Sequence, residues 1–210
     1  PVGKAHYKLD FLVSDVIGIM DNLGVGKAKL VGHDWGAILG WFVTLEHPER
    51  VDRYVAISVG HPTSYKKGGI EQKIRSWYAY AFQVPFIPDA ITPAFNWAFA
   101  KLLSRNHPEL DNWKKDKGRP GRLTAGINWY RANILHLLFG RTDHAKVPVF
   151  GIWSDGDYFL SESQMKLSTL YVDAPWKYER IEKSTHWIQV DQPERLNALL
   201  VEYLGQPFGQ

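Results

Sequence analysis

Cysteine is missing from the 210 residues, which excludes disulfides, thiolate metal sites and a cysteine nucleophile. Long apolar runs are missing too: no stretch approaches the ~18 uninterrupted apolar residues of a membrane span. Nor is there a large excess of one charge. The 25 basic and 22 acidic residues are spread along the chain and leave a formal net charge of +3, so electrostatics nominate no polyanionic partner, nucleic acid included. The one basic cluster, Lys114, Lys115, Lys117, Arg119 and Arg122, is broken by Asp116, glycines and a proline, and reads as a solvated loop rather than a phosphate-binding patch. There is no internal repeat and no low-complexity tract. With 45% hydrophobic residues the chain can build a real core, and a cytoplasmic protein is expected.

The periodicity of what is present points to an α/β fold. Pro1 to Asp10 reads as a connection, and residues 11–23 carry apolar side chains at helical spacing (Leu12, Val13, Val16, Ile17, Ile19, Met20, Leu23) before Gly24 stops them. Residues 28–33 read as a strand and 36–46 as a helix ended by His47-Pro48, because proline disfavours helix in the residue before it. Residues 51–59 read as a buried strand. Between residues 62 and 144 the pattern changes to aromatic-rich helical segments at 70–83, 91–103 and 122–139. Strand character resumes at 147–153 and 176–181, with helices at 161–170 and 192–204. Strand, helix, strand, insert, strand, helix, strand, helix implies a parallel sheet. The expected organisation is a core of residues 1–61 and 145–210 interrupted by a helical cap, residues 62–144.

The chain is organised around Gly32-His33-Asp34-Trp35-Gly36. Flanking glycines allow a tight strand-to-helix turn that presents the middle side chain to a pocket. Asp34 taken singly could be only a helix N-cap. Two later strand-end loops argue for more. Trp153-Ser154-Asp155-Gly156-Asp157 offers two carboxylates, and Ser184-Thr185-His186-Trp187 offers an imidazole; strand ends of a parallel sheet gather on one rim, so these groups can meet Asp34.

Gly-x-Asp-x-Gly resembles the nucleophile elbow of the α/β-hydrolases, with a carboxylate where lipases and esterases carry serine. Together with His-Pro-Glu-Arg-Val at 47–51, the Asp157 loop, and His186-Trp187 followed by Asp191-Gln192-Pro193-Glu194, the chain resembles the epoxide hydrolase and haloalkane dehalogenase branch of that superfamily over nearly its whole length. The resemblance implies an α/β-hydrolase-like parallel sheet corresponding to the C-terminal half of the usual one, with a helical lid. It implies Asp34 as nucleophile, His186 as base and Asp157 as the acid that orients it, with Asp155 the alternative. Some relatives have glycine where this chain has Thr185. The His-Gly-x-Pro stretch that helps build the family's oxyanion hole is not found, and Gly60-His61-Pro62 follows the wrong strand to serve. Either a missing segment or a second chain is therefore expected to complete the sheet, or the sheet is unusually small.

The insert bears on the branch. Epoxide hydrolases resemble one another in two lid tyrosines, one in Tyr-x-x-x-Phe-Gln and one in Asn-Trp-Tyr-Arg; here these are Tyr78, with Tyr80 close by, and Tyr130. A phenol of pKa ~10 can hydrogen-bond an epoxide oxygen and protonate it as the ring opens. A halide needs no proton, and a dehalogenase would instead use N–H donors such as Trp35. The resemblance thus implies hydrolysis of a small apolar epoxide through an Asp34 ester, with no metal and no organic cofactor. Haloalkane dehalogenation, or a non-catalytic binding protein or inactive fragment, are the alternatives.

Overall fold

Every residue of Val51–Ile57 is buried, as a strand must be when helices cover both faces of a parallel sheet. Its two polar members answer to each other: the Asp52 carboxylate accepts from Arg53 Nε at 2.9 Å, and the Arg53 guanidinium also donates to the carbonyls of Tyr203 and Pro207. Around this strand the computed structural model describes residues 1, 3–205 and 207. The sheet unit begins with α1 (Leu9–Asn22), β1 (Ala28–His33), α2 (Trp35–Glu46), β2 (Val51–Ile57), α3 (Pro62–Lys67) and α4 (Gly69–Arg75). The insert continues through α5 (Trp77–Ala81), α6 (Ile87–Ile91), α7 (Ala94–Leu103), α8 (Leu110–Lys117) and α9 (Arg122–Phe139). Then come β3 (Val149–Gly156), α10 (Glu162–Leu167), β4 (Trp176–Thr185), α11 (Ile188–Asp191) and α12 (Pro193–Leu204).

The four strands pair in the order β1-β2-β3-β4, all parallel. This is the expected fold class, an α/β sheet with a helical insertion. Alternation along β2 sends Tyr54 and Ala56 to one face, where they pack with Leu9 and Val13 of α1 and Trp41, Phe42 and Val43 of α2. Val55 and Ile57 go to the other, with Phe150, Ile152, Ile181 and residues Leu196, Leu199 and Tyr203 of α12. β1 and β4 stand at the two edges of the sheet and are less covered than β2 and β3, with Val31 of β1 46% exposed. Compactness divides the chain into two units: Leu9–Ser76 with Leu137–Gln210, which holds the sheet, and Pro1–Lys8 with Trp77–His136, which is helical. Among the described residues no helix is long and apolar enough to cross a membrane.

Several boundaries differ from the sequence pattern for local reasons. The basic cluster is not a loop: Lys114, Lys115 and Lys117 lie on α8, where Lys114 pairs with Asp111 three residues back, and Arg122 opens α9. Asp116, which reads as a break, instead accepts from Arg119 just past the helix end. The segment 70–83 is two helices that meet at Ser76, and 91–103 is α6 and α7, with Phe95, Asn96 and Trp97 at positive φ. The opening connection contains a 3-10 turn at Lys4–Tyr7, and α1 starts at Leu9. α3 has too few residues to show a period, and it is recognisable only by its start, where the His61 ring accepts from Thr63 N–H and Pro62 takes the first turn.

The turn between β1 and α2 shows why one of its glycines is required and the other is not. A Cβ on Gly32 would lie 2.3 Å from the Gly36 carbonyl oxygen, so strand and helix can close up only over a bare backbone, whereas a Cβ on Gly36 would meet nothing within 4 Å. We expect Gly32→Ala to lower stability by about 1–3 kcal/mol through overpacking, and Gly36→Ala to leave it unchanged or slightly raised, since alanine is the better helix former. Urea unfolding of the two variants checks this; equal losses would refute the steric account.

Candidate active site

The strand-to-helix turn strains one residue, Asp34. It has φ 53 and ψ −123, outside the regions L-residues favour. Its carbonyl accepts from the N–H groups of Ala37 and Ile38, which starts α2. It stands at the N-cap position, yet its side chain makes no capping bond. The carboxylate is free of that structural duty and is turned to other partners: the backbone N–H of Trp35 and, at 3.2 Å, Nε2 of His186.

His186 follows the last residue of β4, and its side chain is 4% exposed. Nδ1 lies 2.8 Å from Asp157 Oδ2, so one imidazole bridges two carboxylates. Of the two acids of its loop, Asp157 is the one that contacts the ring. It is 1% exposed and contacts His186, whereas Asp155 is exposed. Its other oxygen, Oδ1, accepts from the N–H groups of Phe159 and Leu160 at 2.9 and 3.0 Å, so the turn-capping role and the histidine-orienting role fall on one side chain. The Arg75 guanidinium donates to its main-chain carbonyl. The aromatic rings of Phe159 and Trp187 stand edge-on to His186 at 5.1 and 5.4 Å.

Charge follows from this packing. Burial pushes the His186 imidazolium down, but the Asp157 carboxylate, by charge and hydrogen bond, and then Asp34 outweigh it and raise the ring to about 10. Burial likewise pushes Asp34 up, and the hydrogen bond and charge of His186 bring it to about 2. At neutral pH the resting site is therefore an imidazolium between two carboxylates.

His33 is a participant that the sequence offers only as the letter before Asp34. Its Nε2 lies 2.8 Å from the His186 carbonyl oxygen and its ring 4.5 Å from the His186 ring. Burial and the neighbouring His186 charge lower it to about 4. Neutral at pH 7, it donates Nε2–H to that carbonyl, and Nδ1 faces the Gln189 amide. Its place next to Asp34 in sequence and its ring nitrogens were the only available signals. Ser154, Thr185 and Asp191, which bind the backbone beside His186, carried none beyond their presence in the motifs.

Trp35 is half-buried, and its side chain packs against the core cluster beneath α2. His61 is fully buried, stacked on Tyr171 and bonded to the Asp143 carbonyl, away from Asp34 in its bonding. Within the helical unit, the rings of Tyr78 and Tyr130 lie 5.8 Å apart and edge to face, both against Phe82. Tyr80 is exposed. Among the described residues no group of three or more histidine, aspartate or glutamate side chains is arranged to hold a metal ion.

Comparison with known proteins bears on the family and the fold. The family model of the alpha/beta hydrolase fold matches residues 2–193. Human Epoxide hydrolase 4 is 29% identical, the match covering 98% of this chain and 61% of that protein. The AB hydrolase superfamily protein YfhM of Bacillus subtilis (strain 168) is 30% identical, with 97% of this chain and 75% of that protein covered. The chain spans 61–62% of the length of the Epoxide hydrolase 4 proteins of human and mouse. Among solved structures, an epoxide hydrolase from metagenomes of hot environments superposes with a TM-score of 0.82 at 24% identity, over 97% of this chain and 76% of that one. The Bacillus megaterium epoxide hydrolase in complex with an inhibitor gives 0.79 at 23%, over 98% and 79%. At these identities the structural likeness is one of fold.

The bridged imidazole predicts how stability varies with pH. His186 holds its proton more tightly folded than unfolded, so its contribution is full below pH 6.5 and is lost as pH rises through about 10. Asp34 contributes fully above pH 3.8 and loses this as pH falls through about 2. His33 contributes above pH 6.5 and loses this as pH falls through about 4. From these groups stability should peak near pH 6.5. Asp34→Asn should flatten the alkaline decline, because His186 then keeps only one anionic partner. Urea midpoints measured across this range check the sign; an alkaline limb identical in Asp34→Asn would contradict it.

Proposed function

Because this chain belongs to the alpha/beta hydrolase fold family, we propose that it is an epoxide hydrolase, opening a small apolar epoxide to a diol through an ester on Asp34. The observation that carries this reading is the carboxylate at the elbow within 3.2 Å of an imidazole that a second carboxylate orients. Epoxide hydrolases among the relatives support the substrate class. The role of cap is assigned to the helical insert, residues 62–144, of which 77–136 form the compact body.

The chemistry follows from the charges. The Asp34 carboxylate is anionic at neutral pH and needs no base to attack. One of its oxygens bonds to an epoxide carbon, the carbon–oxygen bond of the ring breaks, and the ring oxygen takes a proton from the phenol of Tyr78 or Tyr130. Esterification removes the negative charge from Asp34. His186 loses one of the two anions that hold its proton, so its affinity for the proton falls. The proton it releases balances the one the phenol gave. His186 is then neutral at the moment a base is required. It takes a proton from water, whose oxygen bonds to the Asp34 carbonyl carbon, and collapse of the tetrahedral intermediate expels the diol. The Trp35 N–H, already bonded to the Asp34 carboxyl, stabilises the negative oxygen of that intermediate, and Asp157 keeps the ring oriented throughout.

This assigns Asp34, His186, Asp157, Tyr78 and Tyr130 catalytic roles and places Trp35 at the substrate. His186→Gln incubated with an aryl epoxide should accumulate a covalent adduct on the peptide containing Asp34, seen by mass spectrometry, and Asp34→Asn should form none. Tyr78→Phe with Tyr130→Phe should slow adduct formation by ~100-fold or more. Demonstrated binding without an adduct would leave a receptor rather than an enzyme; undiminished epoxide opening in the double phenylalanine variant would remove the tyrosines from the mechanism.

A further inference from the structure

The backbone that delivers His186 is irregular just before it. Along the β3–β4 ladder Ser154 pairs with Ile181 and Gly156 pairs with Thr185, so residues 182–184 stand opposite Asp155 alone. Lys183 has φ 57. Such a bulge re-aims whatever follows it, and Gly156 accommodates it: a Cβ there would lie 2.6 Å from the Ser184 carbonyl oxygen. An irregular segment has no ladder to hold it, so the position of the His186 ring depends on other bonds.

Those bonds converge on Thr185. The carboxylate Oδ2 of Asp191, at the end of α11, accepts from Thr185 N–H at 2.7 Å and from the Thr185 hydroxyl at 2.5 Å. The same hydroxyl oxygen accepts from Trp187 N–H at 3.3 Å, on the far side of His186. The Thr185 carbonyl accepts from the Ser154 hydroxyl at 2.6 Å, and Ser154 is on the strand that leads into Asp157. A single carboxylate thus grips the residue before the histidine and, through its hydroxyl, the residue after it. Asp191 has no place in the mechanism above, and the hydroxyl it binds would be lost with glycine at 185.

We propose that Asp191, acting through Thr185, is a positioning residue that fixes the His186 imidazole between Asp34 and Asp157, and thereby sets the rate of ester hydrolysis rather than of ester formation. The inference rests on the reading of Asp34 as nucleophile and His186 as base. Ester formation needs only the carboxylate and an acid, so a displaced imidazole leaves it intact. Hydrolysis needs the ring within reach of the water and the Asp34 carbonyl, and misplacement by as little as an ångström is costly.

The test compares Thr185→Val, which loses the hydroxyl but keeps the N–H, with Thr185→Ser, which restores it, and with Asp191→Ala. The first readout needs no substrate: the nitrogen-bound ring protons of His186 by NMR, and the pH midpoint of its titration. In Thr185→Val and Asp191→Ala the midpoint should fall by ~1 pH unit or more as the ring leaves its two carboxylates. In Thr185→Ser it should match the parent. The second readout is single turnover of an aryl epoxide. The Asp34 adduct should form within ~2-fold of the parent rate and decay ~10- to 100-fold more slowly in the first two variants, with the serine variant restored. A Thr185→Val ring titration equal to the parent's overturns the proposal, as does equal slowing of both steps. If His186→Gln forms no adduct while the titration shifts as expected, the positioning stands and the epoxide reading falls; if Asp191→Ala does not fold, the valine and serine pair decides.

Discussion

One imidazole is shared by two carboxylates, and the sheet unit is built to keep it so. Three ionisable groups come within hydrogen-bond distance in a place where His186 is 3% exposed and Asp157 1%. Such an assembly is stable only when every charge is answered, because an unpaired buried charge costs far more than a paired one. The arrangement is also self-consistent in charge: two anions and one cation leave a single net negative charge, carried by the group with a third of its side chain exposed, Asp34. That is the group the proposed mechanism requires to react. In the proposed mechanism the resting ion pair and the working base are the same histidine in two electrostatic settings, and the substrate would make the change by neutralising Asp34.

Precision of this kind is bought with backbone strain at the strand ends. Asp34 at φ 53 and Lys183 at φ 57 flank the site, one in the elbow and one in the bulge before His186. Each strained turn sits beside a glycine whose absent side chain makes room for the close approach: Gly32 under Gly36 and Gly156 against Ser184. Regular structure surrounds them. β2, buried along its whole length, registers β1 on one side and β3 on the other, and so sets Asp34 and the Asp157 loop on the same rim.

Much of this was legible in the sequence because it is encoded locally. The apolar run of β2, the Gly-x-Asp-x-Gly elbow and the order Asp34, Asp157, His186 predict a parallel sheet with its polar groups at one edge, and the structure has all of them there. What was not legible depends on neighbours distant in sequence. The resemblance points to Asp157 as the acid facing His186, but nothing near it tells that the same side chain caps its own turn, or that Asp155, two residues away, is exposed. His33 and Asp191 bond to the main chain of the histidine loop, and a main-chain partner leaves no mark in the letters. The basic cluster misleads for the opposite reason: Asp116 reads as an interruption in one dimension and is an ion-pair partner of Arg119 in three. Short helices such as α3 and α6 have too few residues to show a period, and only their first-turn prolines betray them.

The central claim is that a carboxylate oxygen of Asp34 itself becomes an oxygen of the product. Single turnover of an aryl epoxide in water enriched in oxygen-18, with the enzyme in excess, tests it directly. The account predicts a first-turnover diol free of label and one oxygen-18 in the peptide that contains Asp34, because water attacks the ester carbonyl carbon. Label in the diol with none in Asp34 would mean that water opens the ring directly, and the covalent account would be wrong.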